Sequence, residues 1–120
     1  MKLLFACVVL STQAFSVQAA DAVRGKQLYE SRCGACHSME DNRAGPAHKG
    51  VYGRKAGLAK GFDYSSAVKA SKIIWNEKTL DRWLANPEKL IAGQKMGFSV
   101  PEAKDRADLI EFLRTYNAHP

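Results

Sequence analysis

Apolar residues recur along much of this chain at intervals of three and four, the spacing that lines one face of an α-helix, and no alternation of the strand type runs for any length. In the last such stretch Ala107, Leu109, Ile110, Phe112, Leu113 and Tyr116 fall at helical spacing, behind the opening Val100-Pro101-Glu102. That helix is expected to run to about Tyr116. A second stretch begins at the capping residue Asn76, places Leu80, Trp83 and Leu84 on one face, and stops at Asn86-Pro87. Asp21 caps a first helix through Gly25, Leu28 and Tyr29 to Arg32. Glycine inside a helix costs stability relative to alanine, so Gly25 predicts a close approach by another element. A short helix fits residues 65–70. Residues 38–61 hold Gly45-Pro46, Gly50, Gly53, Gly57 and Gly61 among several lysines, which reads as a loop wrapped over something.

The start of the chain has another pattern. Met1-Lys2 precedes an apolar run to Leu10, then polar residues and Val17-Gln18-Ala19-Ala20, the order of a secretory signal peptide cut after Ala19. The run is too short to span a bilayer, and no other segment comes near, so no membrane anchor is expected. Cys7 falls in the removed segment and reads as a small apolar residue. A lipoprotein cut before Cys7 would need an unusually short leader. Residues 1–19 are thus read as a signal peptide and 20–120 as one domain of 101 residues. Residues 117–120 read as a frayed end.

Lys and Arg number 18 against 12 Asp and Glu, a formal charge of +6. Loss of Lys2 with the leader lowers it to +5. That excess suits weak docking on acidic protein patches. No groove interleaving basic and aromatic residues is evident, which argues against nucleic acid as a partner.

The chemistry concentrates in Cys33-Gly34-Ala35-Cys36-His37, the attachment signature of a c-type haem. Two thiols three residues apart on a helical turn each form a thioether to one haem vinyl group, and His37 follows at once with an imidazole for the iron. Two other chemistries compete. A thioredoxin-like dithiol would follow a strand at a helix N-terminus, whereas Cys33 follows a helical stretch. Zinc wants four ligands, and no spacing recommends His48 or His119 to complete a set. Haem attachment occurs outside the cytoplasm, in a bacterium in the periplasm, and agrees with the leader. Both remaining cysteines are then used, leaving no disulfide to expect.

The opposite face of the iron separates electron carriers from catalysts and gas binders. Met1 leaves with the signal peptide. Met39 is too near His37 for the chain to cross the ring, and reads as a packing residue. Met96, 59 residues past His37 in Gly93-Gln94-Lys95-Met96-Gly97-Phe98, has enough chain to reach over the ring edge. His48 and His119 are the alternatives, and both read as surface histidines.

Between about residues 21 and 117 the chain resembles class I cytochromes c, in particular the mitochondrial-like bacterial branch. The resemblance rests on the haem signature, Gly45-Pro46, Val51-Tyr52-Gly53-Arg54-Lys55-Ala56-Gly57, Gly61-Phe62-Asp63-Tyr64, Trp75, Asn86-Pro87, the Met96 loop and Asp105-Arg106-Ala107-Asp108-Leu109-Ile110. It implies an all-α small cytochrome c fold, with three main helices, a short helix and loops wrapped around one covalently attached haem. It implies that Cys33 and Cys36 hold the haem, that His37 and Met96 ligate the iron, and that the Pro46 carbonyl accepts the far imidazole proton. Arg54, Tyr64 and Trp75 would surround a buried propionate, whose charge needs donors nearby. Gly25 and Tyr29 would pack on Leu109 and Phe112. The implied activity is electron transfer without catalysis, between redox proteins docking at a basic haem edge, by a periplasmic monomer. Arg32, Lys89 and Lys95 match that basic ring, while Glu88 and Glu102 fall near positions that are often basic. Three further departures surround the methionine: Val68 replaces the usual Asn, Trp83 the usual Tyr, and Gln94 the usual Thr.

Overall fold

A computed structural model describes residues 18–116. The predicted leader up to residue 17, Cys7 within it, and the predicted frayed end with His119 lie outside the described residues. Among the described residues five α-helices follow in order: α1 (Ala22–Leu28), α2 (Ser66–Ala70), α3 (Glu77–Ala85), α4 (Pro87–Leu90) and α5 (Ala103–Tyr116). Among the described residues the only β-pairing is one isolated antiparallel bridge, Lys55 with Ile74.

Local chemistry sets these boundaries. The Asp21 carboxylate accepts from the Val23 and Arg24 backbone N–H groups, satisfying donors that have no partner within the helix. Ser65 and Asn76 cap α2 and α3 in the same way, and Asn76 and Thr79 bond each other's backbone reciprocally. Two boundaries differ from the sequence expectation. The first helix does not continue as α to Arg32; it widens at Tyr29–Cys33 into a π turn, closed by the Gly34 N–H on the Tyr29 carbonyl at 3.0 Å. Asn86-Pro87 ends α3 but also begins α4, because Asn86 accepts from Lys89 N–H and proline at the first helical position forfeits only a donor that would lack a partner anyway.

The first and last helices cross at Gly25, where an added Cβ would lie 1.9 Å from the Asp108 carbonyl oxygen and 2.9 Å from the Phe112 Cβ. The glycine therefore meets the backbone of Asp108, one residue before the expected Leu109. Tyr29 and Phe112 continue the contact, their ring centroids 5.3 Å apart. Beside it Arg24 spans two carboxylates, Asp105 and the fully buried Asp108, which also accepts from Lys104 and the Asp21 backbone N–H. Helix α3 is tied to α5 by Arg106 Nε on Asp81 at 2.6 Å. The core joins Tyr29, Leu109, Phe112 and Leu113 to Val51, Val68, Trp75, Leu80, Ile91 and Val100, with Met39 packed against it as the sequence suggested.

Candidate functional site

The π turn delivers the reactive pentapeptide. Cys36 and His37 backbone N–H groups both return to the Cys33 carbonyl, at 3.1 and 2.9 Å, so both thiols and the imidazole issue from one tight turn. Burial pushes the Cys33 thiol up to about 11, which keeps it protonated at neutral pH and unlike the activated thiolate of a dithiol oxidoreductase.

His37 is buried and fixed on two sides. Its Nδ1 lies 2.9 Å from the Pro46 carbonyl oxygen. A carbonyl can only accept, so the proton sits on Nδ1 and the lone pair of Nε2 is left for a metal. Burial holds the imidazole below its ordinary pKa, against the opposing effect of the Pro46 bond, and so favours the neutral, ligating form. Gly45 makes this fit possible: a Cβ there would lie 2.1 Å from His37 Cε1, inside the ring's own volume.

His48 is not the surface residue expected from sequence. Its ring stacks on His37 with centroids 4.1 Å apart and planes inclined at 21°, and its Nδ1 pairs with the Tyr29 hydroxyl at 3.0 Å. Burial, then the neighbouring His37 ring and the Arg54 guanidinium, push its pKa down to about 3. A ring lying flat on His37, with its Nδ1 taken by the Tyr29 hydroxyl, is a packing and hydrogen-bonding neighbour of that imidazole. The sequence signal was available but faint: two residues after Pro46, the chain that brings the carbonyl to His37 must still run alongside it.

Arg54 shows what the neighbouring cleft requires. Two of its nitrogens donate to the Lys49 and Ala47 carbonyls at 2.9 and 3.2 Å, whereas Nε is buried with no partner. An orphaned buried guanidinium nitrogen is costly unless an acceptor meets it, and a haem propionate is such a group. The cleft beside it, about 410 Å³, is lined by Met39, Asn42, Ala59 and the lysines Lys49 and Lys60, and also by the acidic Glu40 and Asp41. The segment next to the isolated bridge brings Trp75 here, its N–H on the Arg54 carbonyl at 2.9 Å, and the Tyr64 hydroxyl accepts from Ala59 N–H at 3.0 Å. The three residues expected around a propionate are thus drawn to one region. Two departures also find their places: Val68 is buried in the core, and Trp83 meets Trp75 edge to face at 5.3 Å.

Met96 sits apart from these contacts, half-buried on the loop between α4 and α5, with its backbone N–H on Gln94 Oε1 at 2.5 Å. Of the expected docking residues, Lys89 and Lys95 are exposed, but Arg32 reaches Asp105 at 2.9 Å and Glu102 at 3.9 Å.

A helical scaffold presenting paired thiols, a neutral imidazole with one free nitrogen and an anion-seeking arginine defines a protein that carries covalently bound haem. The comparisons make this specific. A Cytochrome c family profile matches residues 22–117. Cytochrome c of Euglena viridis is 46% identical over 98 residues, covering 79% of this chain and 96% of that protein. Cytochrome c of Tetrahymena pyriformis is 48% identical over 102 residues, covering 83% and 93%. Among solved structures, cytochrome cH from Methylobacterium extorquens superimposes with a TM-score of 0.77 at 41% identity, over 80% of this chain and 99% of its own. The chain belongs to the cytochrome c family. Its cofactor is one covalent c-type haem, and its members are electron-transfer proteins rather than enzymes.

Proposed function

We propose that residues 1–19 direct export and are removed, and that residues 20–120 work as a single-domain, monomeric, periplasmic one-electron carrier with His37 and Met96 as axial ligands. When bound, the haem supplies a metal that gains or loses one electron without a change of substrate. The protein's part is to hold both ligands still and exclude water, so that little rearranges during transfer. The observation that carries the ligand reading is the 2.9 Å bond from His37 Nδ1 to the Pro46 carbonyl, which leaves Nε2 free and strengthens it as a donor. Met96 is the remaining thioether on a loop with chain enough to reach the other face, and methionine opposite histidine raises the potential. Cys33 and Cys36 supply the thioethers, and Arg54, with Tyr64 and Trp75 beside it, receives a propionate. Among the described residues no helix is long and apolar enough to cross a membrane.

An optical redox titration with Met96→Ala tests the ligand set. The parent is expected to show six-coordinate haem that does not bind carbon monoxide in the ferrous form. The variant should keep its haem covalently bound, bind carbon monoxide and fall in potential. Identical spectra for the two proteins would remove Met96 from the ligand set.

A further inference from the structure

Glu88 lies in the first turn of α4, yet its carboxylate turns along the chain that follows. Oε1 accepts the Gly93 backbone N–H at 2.9 Å and Oε2 accepts from Gln94 Nε2 at 3.2 Å. The same amide of Gln94 then accepts the Met96 backbone N–H through Oε1 at 2.5 Å, while the Gln94 N–H donates to the carbonyl of buried Ile91 at 3.2 Å. Carboxylate, amide and ligand backbone thus form one directed chain, anchored in a helix whose start is fixed by Asn86 and Pro87.

The loop between α4 and α5 has no helix or strand of its own; backbone bonds tie Gln94 N–H to the Ile91 carbonyl and Val100 N–H to the Leu84 carbonyl, and between them the Met96 N–H is held by a side chain. Gln94 suits this because one planar group donates to the solvent-exposed Glu88 carboxylate and accepts from the part-buried Met96 N–H. We propose that Glu88 and Gln94 are positioning residues for Met96: their hydrogen-bonded chain holds the loop closed, and opening of that chain limits how fast the thioether leaves the iron. The proposal rests on the reading of Met96 as the second axial ligand.

The test is imidazole binding to the ferric holoprotein, followed by absorbance at imidazole concentrations high enough that the rate levels off at the loop-opening step. Gln94→Ala removes the link and should raise that limiting rate about three- to tenfold, the factor given by one net hydrogen bond. Gln94→Glu sets two carboxylates against each other and should raise it further. Combining Gln94→Glu with Glu88→Gln restores every donor to an acceptor: the new amide accepts from Gly93 and donates to the new carboxylate, which accepts from Met96. The exchanged pair should therefore return to within about twofold of the parent, a rescue that general loop damage would not produce. Met96→Ala is the reference and should bind imidazole without the limiting step. If it does so while the Gln94 variants match the parent, or if the exchange fails to reverse Gln94→Glu, the tether is wrong and the ligand stands. If Met96→Ala keeps the parent's limiting rate, the ligand reading falls and takes the tether with it.

Discussion

Single residues set the surroundings of the His37 imidazole, and the pairing of Tyr29 with the stacked His48 is the least expected contact among them. Tyr29 is 6% exposed, and its hydroxyl finds the His48 Nδ1 at 3.0 Å. His48→Leu leaves that hydroxyl buried without a partner and should lower stability by about 1–3 kcal/mol, whereas adding Tyr29→Phe removes the orphan and should restore part of the loss. Denaturant unfolding of the holoprotein around the full double-mutant cycle measures this. Strict additivity of the two single changes would mean that the pair does not interact. The grouping of Cys33, Cys36 and His37 on one turn was legible in sequence because covalent chemistry fixes their spacing, and the resemblance named Pro46, Arg54, Tyr64 and Trp75, of which Pro46 meets His37 and Trp75 meets Arg54. His48 was not legible, since a lone histidine in a glycine-rich loop looks solvated until its neighbours are known.

Helix against helix, the fold turns on one missing side chain. Gly25→Ala would force a methyl group to within 1.9 Å of the Asp108 carbonyl oxygen, a backbone atom that cannot swing away. The cost should reach or exceed the roughly 1–3 kcal/mol typical of overpacking, because α1 and α5 must separate. An unchanged unfolding midpoint would show that the helices do not meet there. The same junction should contribute to the loss of stability in acid. The Arg24 hydrogen bond, opposed by burial and helped by Arg32, holds the Asp105 carboxyl below its usual range. For Asp108, burial pushes upward but is outweighed by Lys104, the Asp21 N–H and Arg24. Depressed carboxyl pKa values mean that the unfolded chain takes up protons first. Their stabilisation is therefore present above the ordinary value of 3.8 and is lost as pH falls below it. Asp108→Asn should flatten the decline in unfolding midpoint below about pH 4; an acid limb parallel to the parent's would exclude Asp108 as its source. A glycine within an apolar helical pattern is enough to announce this crossing, but the ionic cluster beside it did not show in the sequence, because charges at helical spacing look alike whether they face solvent or one another. The π turn was equally hidden: residues 29–33 carry no proline or glycine, and the widening is imposed where α1 hands over to the cysteine turn.

At the scale of the whole molecule the question is where the positive charge stands relative to the haem-bearing loops. Without residues 1–19 the formal charge is +5, and the two haem propionates bring it near +3, so long-range attraction to an acidic partner is modest. Its distribution matters more. Arg32 matched the expected basic ring in sequence and is exposed, but its pairing with Asp105 at 2.9 Å and Glu102 at 3.9 Å offsets part of its charge. Lys89 and Lys95 are exposed on the elements flanking Met96, next to the half-exposed Phe98, so the docking face should centre there. Rim charges act chiefly on association rate, through attraction screened over about 8–10 Å at physiological salt. Stopped-flow electron transfer to an acidic redox protein should therefore slow as salt is added. Lys95→Glu should slow it further at low salt, with the two curves converging at high salt, while Arg32→Gln should alter stability more than rate. Equal slopes against ionic strength for the parent and Lys95→Glu would move the docking face away from the methionine loop, and a large rate loss in Arg32→Gln would place it at the α1–α5 junction instead.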